Sequence, residues 1–72
     1  MPSRVIRSFS YDADKLELTI WFQSGRCYRY LDVPQRTFLA MQAAFSKGVY
    51  FNRHIRDRYQ CIEVSIGQAP PS

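Results

Sequence analysis

The clearest pattern in the chain is a strict alternation of residues over Leu16–Phe22. Its apolar side carries Leu16, Leu18, Ile20 and Phe22. Because successive side chains of a strand point to opposite faces, the alternation predicts a half-buried strand. Val5–Tyr11 alternates less regularly, interrupted by Arg7, and predicts a preceding strand after which the polar turn Asp12–Asp14 reverses the chain. The core face of that strand would carry Val5, Phe9 and Tyr11.

A turn at Gln23–Gly25 predicts a hairpin between the second strand and a third. A three-residue loop favours Gly at its last, left-handed position, and this register places Tyr28 and Tyr30 in the core and Arg29 in solvent. The pairs would be Phe22 with Arg26, Ile20 with Tyr28 and Leu18 with Tyr30. A two-residue turn at Ser24–Gly25 would shift the register by one residue and bury Arg29. An unpaired buried Arg is costly, so the three-residue loop is preferred.

Two helices are predicted after the hairpin. The first spans Pro34–Lys47, with Pro at the first helical position and Asp32 or Val33 as its cap. It ends at Ser46–Gly48, because Lys suits the negative end of a helix and Gly suits the residue beyond. Its buried stripe would comprise Phe38, Met41, Ala44 and Phe45. A second, shorter helix over Val49–Tyr59 would bury Phe51, Ile55 and Tyr59.

The elements together predict an α+β fold, a three-stranded antiparallel meander packed against one main helix with a second short helix. Cys61–Ile66 alternates again, with Ile62, Val64 and Ile66 on one face, and is a candidate fourth strand at the C-terminal end. A chain of 72 residues has room for one domain, predicted over residues 1–67 with a flexible tail over 68–72. Five Phe, five Tyr and one Trp are enough for a core without disulfides or metal.

The residue types that carry most catalysis and metal binding are sparse. The single His54 and the two cysteines, Cys27 and Cys61, have neither the spacing of a zinc site nor that of a nucleophile with its base. The sequence therefore predicts no catalytic residue, no metal site and no cofactor. It has no signal-peptide pattern and no apolar run near the ~20 residues of a membrane span, which predicts a cytoplasmic protein with reduced thiols and no membrane partner.

A basic cluster is the strongest local signal for a partner. The net charge is +4, and a stretch of six residues contains Arg53, His54, Arg56 and Arg58. Such a surface suits phosphates. Arg29 and Trp21, on the non-core face of the hairpin, are secondary candidates because a base could stack there. The alternatives are a solvated helix face with Arg53 paired to Asp57, and a Trp21 covered by the C-terminal strand or a partner chain.

Short motifs in a fixed order relate the chain to a known family. They are Leu18–Phe22, Ser24-Gly25, Tyr28-Arg29-Tyr30, Val33-Pro34, Ser46-Lys47-Gly48, Tyr50–Arg56 and Tyr59. With them the sequence resembles the KTSC domain family, a short domain at the C-terminus of some lysyl-tRNA synthetases and in free-standing bacterial proteins. The family has no established activity, and the resemblance implies only the RNA-binding role that has been proposed for it from the synthetase context. Because the central Tyr28 and Tyr30 are predicted in the core, that motif marks the fold.

Two functions follow as hypotheses. The first is a small non-enzymatic module that binds RNA or another nucleic acid through the basic helix face. The second is a protein-interaction module that uses the exposed sheet face around Trp21.

Overall fold

The fold is a four-stranded antiparallel sheet with two helices inserted before its last strand. A computed structural model describes residues 6–64. The elements are β1 (Ile6–Asp12), β2 (Glu17–Phe22), β3 (Cys27–Tyr30), α1 (Gln35–Ala43), α2 (Lys47–His54) and β4 (Cys61–Val64). The strands follow one another across the sheet in chain order, so the predicted α+β meander and its fourth strand are confirmed. Val5, Ile66 and the tail over 68–72 lie outside the described residues.

The β2–β3 hairpin has the predicted three-residue loop. Its strands pair Leu18 with Tyr30 and Ile20 with Tyr28. The Phe22 amide donates to the Arg26 carbonyl at 2.8 Å, and the Gly25 amide donates to the Phe22 carbonyl at 2.9 Å. Gly25 has φ 95°, a backbone conformation that residues with a Cβ atom rarely adopt. This loop fixes the face on which every residue of β3 lies.

The core face of β1 differs from the prediction because the strand contains a bulge. Ile6 pairs with Phe22 and Ser8 with Trp21, so Arg7 is one extra residue with no partner of its own. The bulge leaves Arg7 exposed and turns Ile6 into the core alongside Phe9. The predicted core face did not include Ile6, because a strict period of two from Phe9 reaches Arg7 and Val5 instead.

The turn between β1 and β2 removes Leu16 from the predicted strand. Leu16 has φ 56° and is 40% exposed, so β2 begins one residue later at Glu17. The predicted polar turn is confirmed, since Asp12 Oδ1 accepts hydrogen bonds from the amides of Asp14 (3.0 Å) and Lys15 (3.3 Å). These hydrogen bonds satisfy two backbone amides of the turn, which lies beyond the hydrogen-bonded pairs of β1 and β2.

The first helix is shorter than predicted, and its cap is different. Pro34 itself is the N-cap, without a side-chain hydrogen bond, and the helix ends at Ala43. Ser46 begins α2 instead of ending α1, because its Oγ accepts a hydrogen bond from the Val49 amide at 3.3 Å. Lys47 Nζ still donates a hydrogen bond to the Ala44 carbonyl at 3.2 Å. Lys47 therefore stabilises the C-terminal end of α1 as predicted, although it lies in the first turn of α2.

The second helix is displaced towards the N-terminus, and two of its three predicted buried residues are buried. Phe51 is 4% exposed and Ile55 is fully buried at the C-cap. Tyr59 lies beyond the helix, half-buried, and its hydroxyl shares a 3.3 Å hydrogen bond with the Thr37 hydroxyl. The core between the sheet and both helices comprises Ile6, Leu18, Ile20, Tyr30, Val33, Met41, Phe51 and Ile55.

The predicted stripe of α1 is wrong at one position. Met41 is fully buried, but Phe45 lies in the link between the helices and is fully exposed. We therefore expect Phe45→Ala to change the free energy of unfolding by no more than about 0.5 kcal/mol. Met41→Ala should lose about 2–5 kcal/mol, because it opens a cavity in the core. Urea denaturation of both variants measures the difference, and equal losses would place Phe45 in the core.

Candidate nucleic-acid interface

Four basic side chains lie together at the end of α2 and in the turn that follows. We call this the basic surface: Arg53, His54, Arg56 and Arg58, all exposed. The buried side chain of Ile55 anchors this segment to the core. The amides of Ile55 and Arg56 both donate to the Phe51 carbonyl, at 3.0 and 2.9 Å, and this tight turn carries the chain around the anchor. The basic side chains therefore project from a fixed backbone.

The predicted alternative, an Arg53–Asp57 ion pair, does not form. Over residues 6–64 the ion pairs are Arg26–Glu63 at 3.9 Å and Arg29–Glu17 at 3.6 Å, neither of them in the basic surface. Because α2 ends at His54, Asp57 does not lie one helical turn beyond Arg53. The basic surface thus keeps its positive charge.

Two neighbours add to the basic surface. Arg56 Nη1 donates to Asn52 Oδ1 at 3.4 Å, a neutral partner that orients the guanidinium without cancelling its charge. The rings of Tyr50 and His54 lie 4.5 Å apart, tilted by 36°. An aromatic ring beside clustered cations is the combination that single-stranded nucleic acids contact through bases and phosphates.

The two secondary candidates lie elsewhere. Trp21 and Arg29 are on the outer sheet face, the side opposite the helices, and both are partly exposed. Arg29 Nε lies 3.6 Å from Glu17 Oε1. Arg53, His54, Arg56 and Arg58 therefore lie on one exposed segment, the end of α2 and the turn after it, whereas Trp21 and Arg29 lie on the opposite side of the sheet.

The outer sheet face has an apolar row across three strands. Trp21 pairs with Cys27, and Cys27 pairs with Val64. Cys27 is only 2% exposed, and burial raises the pKa of its thiol. Ile62 lies on the same face and is 49% exposed. The strand β4 pairs with β3 at the edge of the sheet and does not lie over Trp21. The predicted alternative in which the C-terminal strand covers Trp21 is therefore wrong for β4.

Sequence reasoning missed a groove between the β2–β3 hairpin and α2. This hairpin–helix groove has a volume of about 500 Å³, and its walls include the rings of Phe22, Tyr28, Tyr30 and Phe51. Charged and polar groups at its margin come from Arg26, Asn52, Arg56, Asp57 and Cys61. Arg56 therefore belongs both to the groove and to the basic surface, whereas Arg53 and His54 line a separate depression with Phe45 and Tyr50.

The aromatic walls of the groove are arranged edge to face. Phe22 lies 5.8 Å from Tyr28 and 5.5 Å from Phe51, and Tyr30 lies 5.4 Å from Phe51, with interplanar angles of 66–80°. Burial, together with the neighbouring Cys61 thiol, raises the pKa of Tyr30 above its usual value. The Tyr30 hydroxyl therefore stays protonated at neutral pH and can donate a hydrogen bond.

The periodic pattern identified these tyrosines as core residues and gave no sign of a groove. An apolar side chain at the edge of a core and one that lines an open groove have the same spacing. No local signal marked the groove, because Arg26 and Arg56 lie in two separate segments and neither is adjacent to an aromatic residue in the sequence.

A comparison of the sequence with known protein families places the chain in one of them. The sequence model of the KTSC domain matches residues 2–59. The chain belongs to the KTSC domain family. The resemblance read from the motifs is therefore confirmed, and the central Tyr28 and Tyr30 line one groove of the domain.

Relatives carry the KTSC domain in two settings. The chain is 38% identical over 61 residues to a lysine–tRNA ligase of Nostoc punctiforme, covering 85% of this chain and 11% of the ligase. The chain thus spans about one tenth of the lysine–tRNA ligases it matches. It is also 34% identical over 59 residues to an uncharacterised protein of Stutzerimonas stutzeri, covering 82% of this chain and 83% of that protein.

A solved structure shows the same fold. The crystal structure of a KTSC domain protein from Yersinia pestis superimposes with a TM-score of 0.82 at 35% identity, covering 83% of this chain and 84% of that one. No helix of the described segment is long and apolar enough to cross a membrane.

Proposed function

We propose that this KTSC domain is a non-catalytic module that binds RNA, or another single-stranded nucleic acid, through the basic surface. The observation that carries the proposal is the exposure of three arginines and His54 on one short segment, with no carboxylate paired to them among residues 6–64. Arg binds phosphate with two parallel hydrogen bonds, so each guanidinium can hold one phosphate of a strand.

The relatives give this proposal a context. Three lysine–tRNA ligases, named for a tRNA substrate, contain a segment similar to this chain. A small domain that contacts the phosphates of RNA would add affinity to such an enzyme without taking part in its chemistry. RNA binding also agrees with the cytoplasmic location that the sequence predicts.

The basic surface favours weak and sequence-tolerant binding. Its contacts would be charge-assisted bonds to phosphate, which position a strand without reading bases. Affinity should therefore fall steeply with salt, by a log–log slope of about −0.7 per phosphate neutralised on a single strand, and three arginines give a slope near −2.

The test is the joint replacement of Arg53, Arg56 and Arg58 by Ala. We expect this variant to lose most of its affinity for a single-stranded RNA and to show a slope near zero, because the phosphate contacts are gone. Fluorescence anisotropy over a series of salt concentrations measures both quantities. The fold should be retained, since the buried anchors Phe51 and Ile55 are unchanged.

Arg36→Ala is the matched control. Arg36 is an exposed arginine on α1, away from the basic surface, and its replacement should leave the slope unchanged. A wild type that binds neither RNA nor single-stranded DNA at low salt would refute the proposal. A triple variant that binds like the wild type would move the site to another surface, with Trp21 and Arg29 the next residues to replace.

A protein-interaction surface is the second candidate, and one observation favours it. The outer sheet face presents Trp21, Val64 and the half-exposed Ile62 together, and clustered apolar side chains on a surface are typical of protein contacts. If the wild type bound no nucleic acid, this face would become the leading candidate.

A further inference from the structure

We propose that the hairpin–helix groove holds one unpaired nucleobase of a strand whose phosphates lie on the basic surface. This inference rests on the proposed function and adds what the basic surface lacks, a contact with a base. The volume of about 500 Å³ lies in the range of roughly 300–1,000 Å³ that is usual for sites binding small organic groups.

The ring geometry suits a flat occupant. Phe22 and Tyr28 are half-buried and meet edge to face at 5.8 Å, so they do not cover each other by parallel stacking. Phe51 and Tyr30, each 4% exposed, lie behind them and hold them in place through further edge-to-face contacts. A nucleobase can stack on such rings whatever its identity, because every base has a π-face.

The charges at the margin favour a nucleic acid over an apolar peptide side chain. Arg26 and Arg56 contribute two positive charges against the single negative charge of Asp57 among the residues that line the groove. Arg26 is also 3.9 Å from Glu63, but its side chain is 64% exposed and reaches solvent. Arg56 lies within three residues of Arg53 and Arg58 in the sequence. A strand with a base in the groove can therefore place a neighbouring phosphate on Arg56, the member of the basic surface that lines the groove.

Polar groups in the groove match the edge of a base. Arg26 Nη1 donates to the Tyr28 hydroxyl at 3.4 Å, which fixes that hydroxyl at the margin. The protonated Tyr30 hydroxyl and the Asn52 amide add further hydrogen-bonding groups on the same walls. Donors and acceptors of this kind can bond base edges of different identity, as expected for a site with little sequence preference.

Cys61 allows occupancy to be measured in the unmodified protein. Its thiol is exposed and lines the groove, whereas Cys27 is buried on the other side of the sheet, so iodoacetamide should alkylate Cys61 first. We expect a saturating single-stranded oligouridylate to slow this alkylation several-fold. A strand of equal length in which every nucleotide is abasic should bind through its phosphates and leave the alkylation rate unchanged.

Two variants test the rings directly. Tyr28→Leu and Phe22→Leu keep an apolar side chain but remove a stacking surface, and each should weaken oligouridylate binding roughly tenfold. The salt slope should stay near −2, because no phosphate contact is lost. Phe38→Leu is the matched control, the same kind of change at a half-buried aromatic residue on α1 that does not line the groove, and should leave affinity unchanged.

The outcomes separate this inference from the proposed function. If oligouridylate and the abasic strand bind equally well and neither protects Cys61, the groove holds no base, while binding to the basic surface still stands. If free aromatic peptides protect Cys61 and oligouridylate does not, the occupant is a protein side chain and the inference is wrong. If no strand binds at all, both proposals fail.

Discussion

Tyr30→Ala is expected to lower the free energy of unfolding by about 3–5 kcal/mol, the range for removing a large aromatic side chain from a core. Tyr30 is 4% exposed, pairs with Leu18 across the hairpin and meets Phe51 edge to face at 5.4 Å. A domain of this size has roughly 4–11 kcal/mol of total stability, so the loss is a large fraction of it. Urea denaturation monitored by circular dichroism measures the change.

The neighbouring Arg29 is the control for this prediction. Arg29 lies on the outer sheet face, where its pair with Glu17 is partly exposed to solvent, so Arg29→Ala should cost no more than about 1 kcal/mol. Tyr28→Ala should fall between the two, because Tyr28 is half-buried at the groove. A larger loss for Arg29→Ala than for Tyr30→Ala would mean that the hairpin register is shifted by one residue.

Phe51→Ala is expected to be as damaging, at about 3–5 kcal/mol. Phe51 is the buried residue by which α2 contacts the sheet, through Phe22 at 5.5 Å and Tyr30 at 5.4 Å. Its loss removes the contact on which both the groove and the basic surface depend. Nucleic-acid affinity should therefore fall together with stability, which thermal denaturation and anisotropy on the same sample can show.

Arg53→Ala, on the same helix, is expected to change nucleic-acid affinity without changing stability. Arg53 is exposed and has no ion-pair partner within residues 6–64, so its replacement should lower affinity while stability changes by no more than about 0.5 kcal/mol. If Phe51→Ala left stability and affinity unchanged, α2 would be held by some other contact, and the groove as described would not exist.

The position of these functional groups has a simple physical basis. Phe51 and Ile55 anchor one side of α2 and the turn after it, and helical spacing then directs Arg53 away from the sheet, while His54 is exposed at the last position of the helix. The same anchors place Arg56 at the margin of the groove. Stability and the proposed binding thus depend on different residues of one short segment, which is why single substitutions can separate them.

The sequence by itself determined the β2–β3 hairpin. Alternation over β2 and the glycine at position 25 were enough to predict the three-residue loop, the pairing of Ile20 with Tyr28 and the face of both tyrosines. These features depend on local chemistry, the positive φ at Gly25 and the cost of burying Arg29, so nearby residues carry the information. The basic cluster was predictable for the same reason, since its members are neighbours in sequence.

Only the tertiary structure decided the rest. The Arg7 bulge, the break between the helices at residues 44–46 and the exposure of Phe45 depend on how segments fit against one another, and periodicity does not record that fit. The groove needs the hairpin and α2 together: Tyr28 and Arg56 lie far apart in sequence, and folding places both on its walls. A site assembled from distant segments acquires its shape from packing, and for that reason no single stretch of sequence could reveal it.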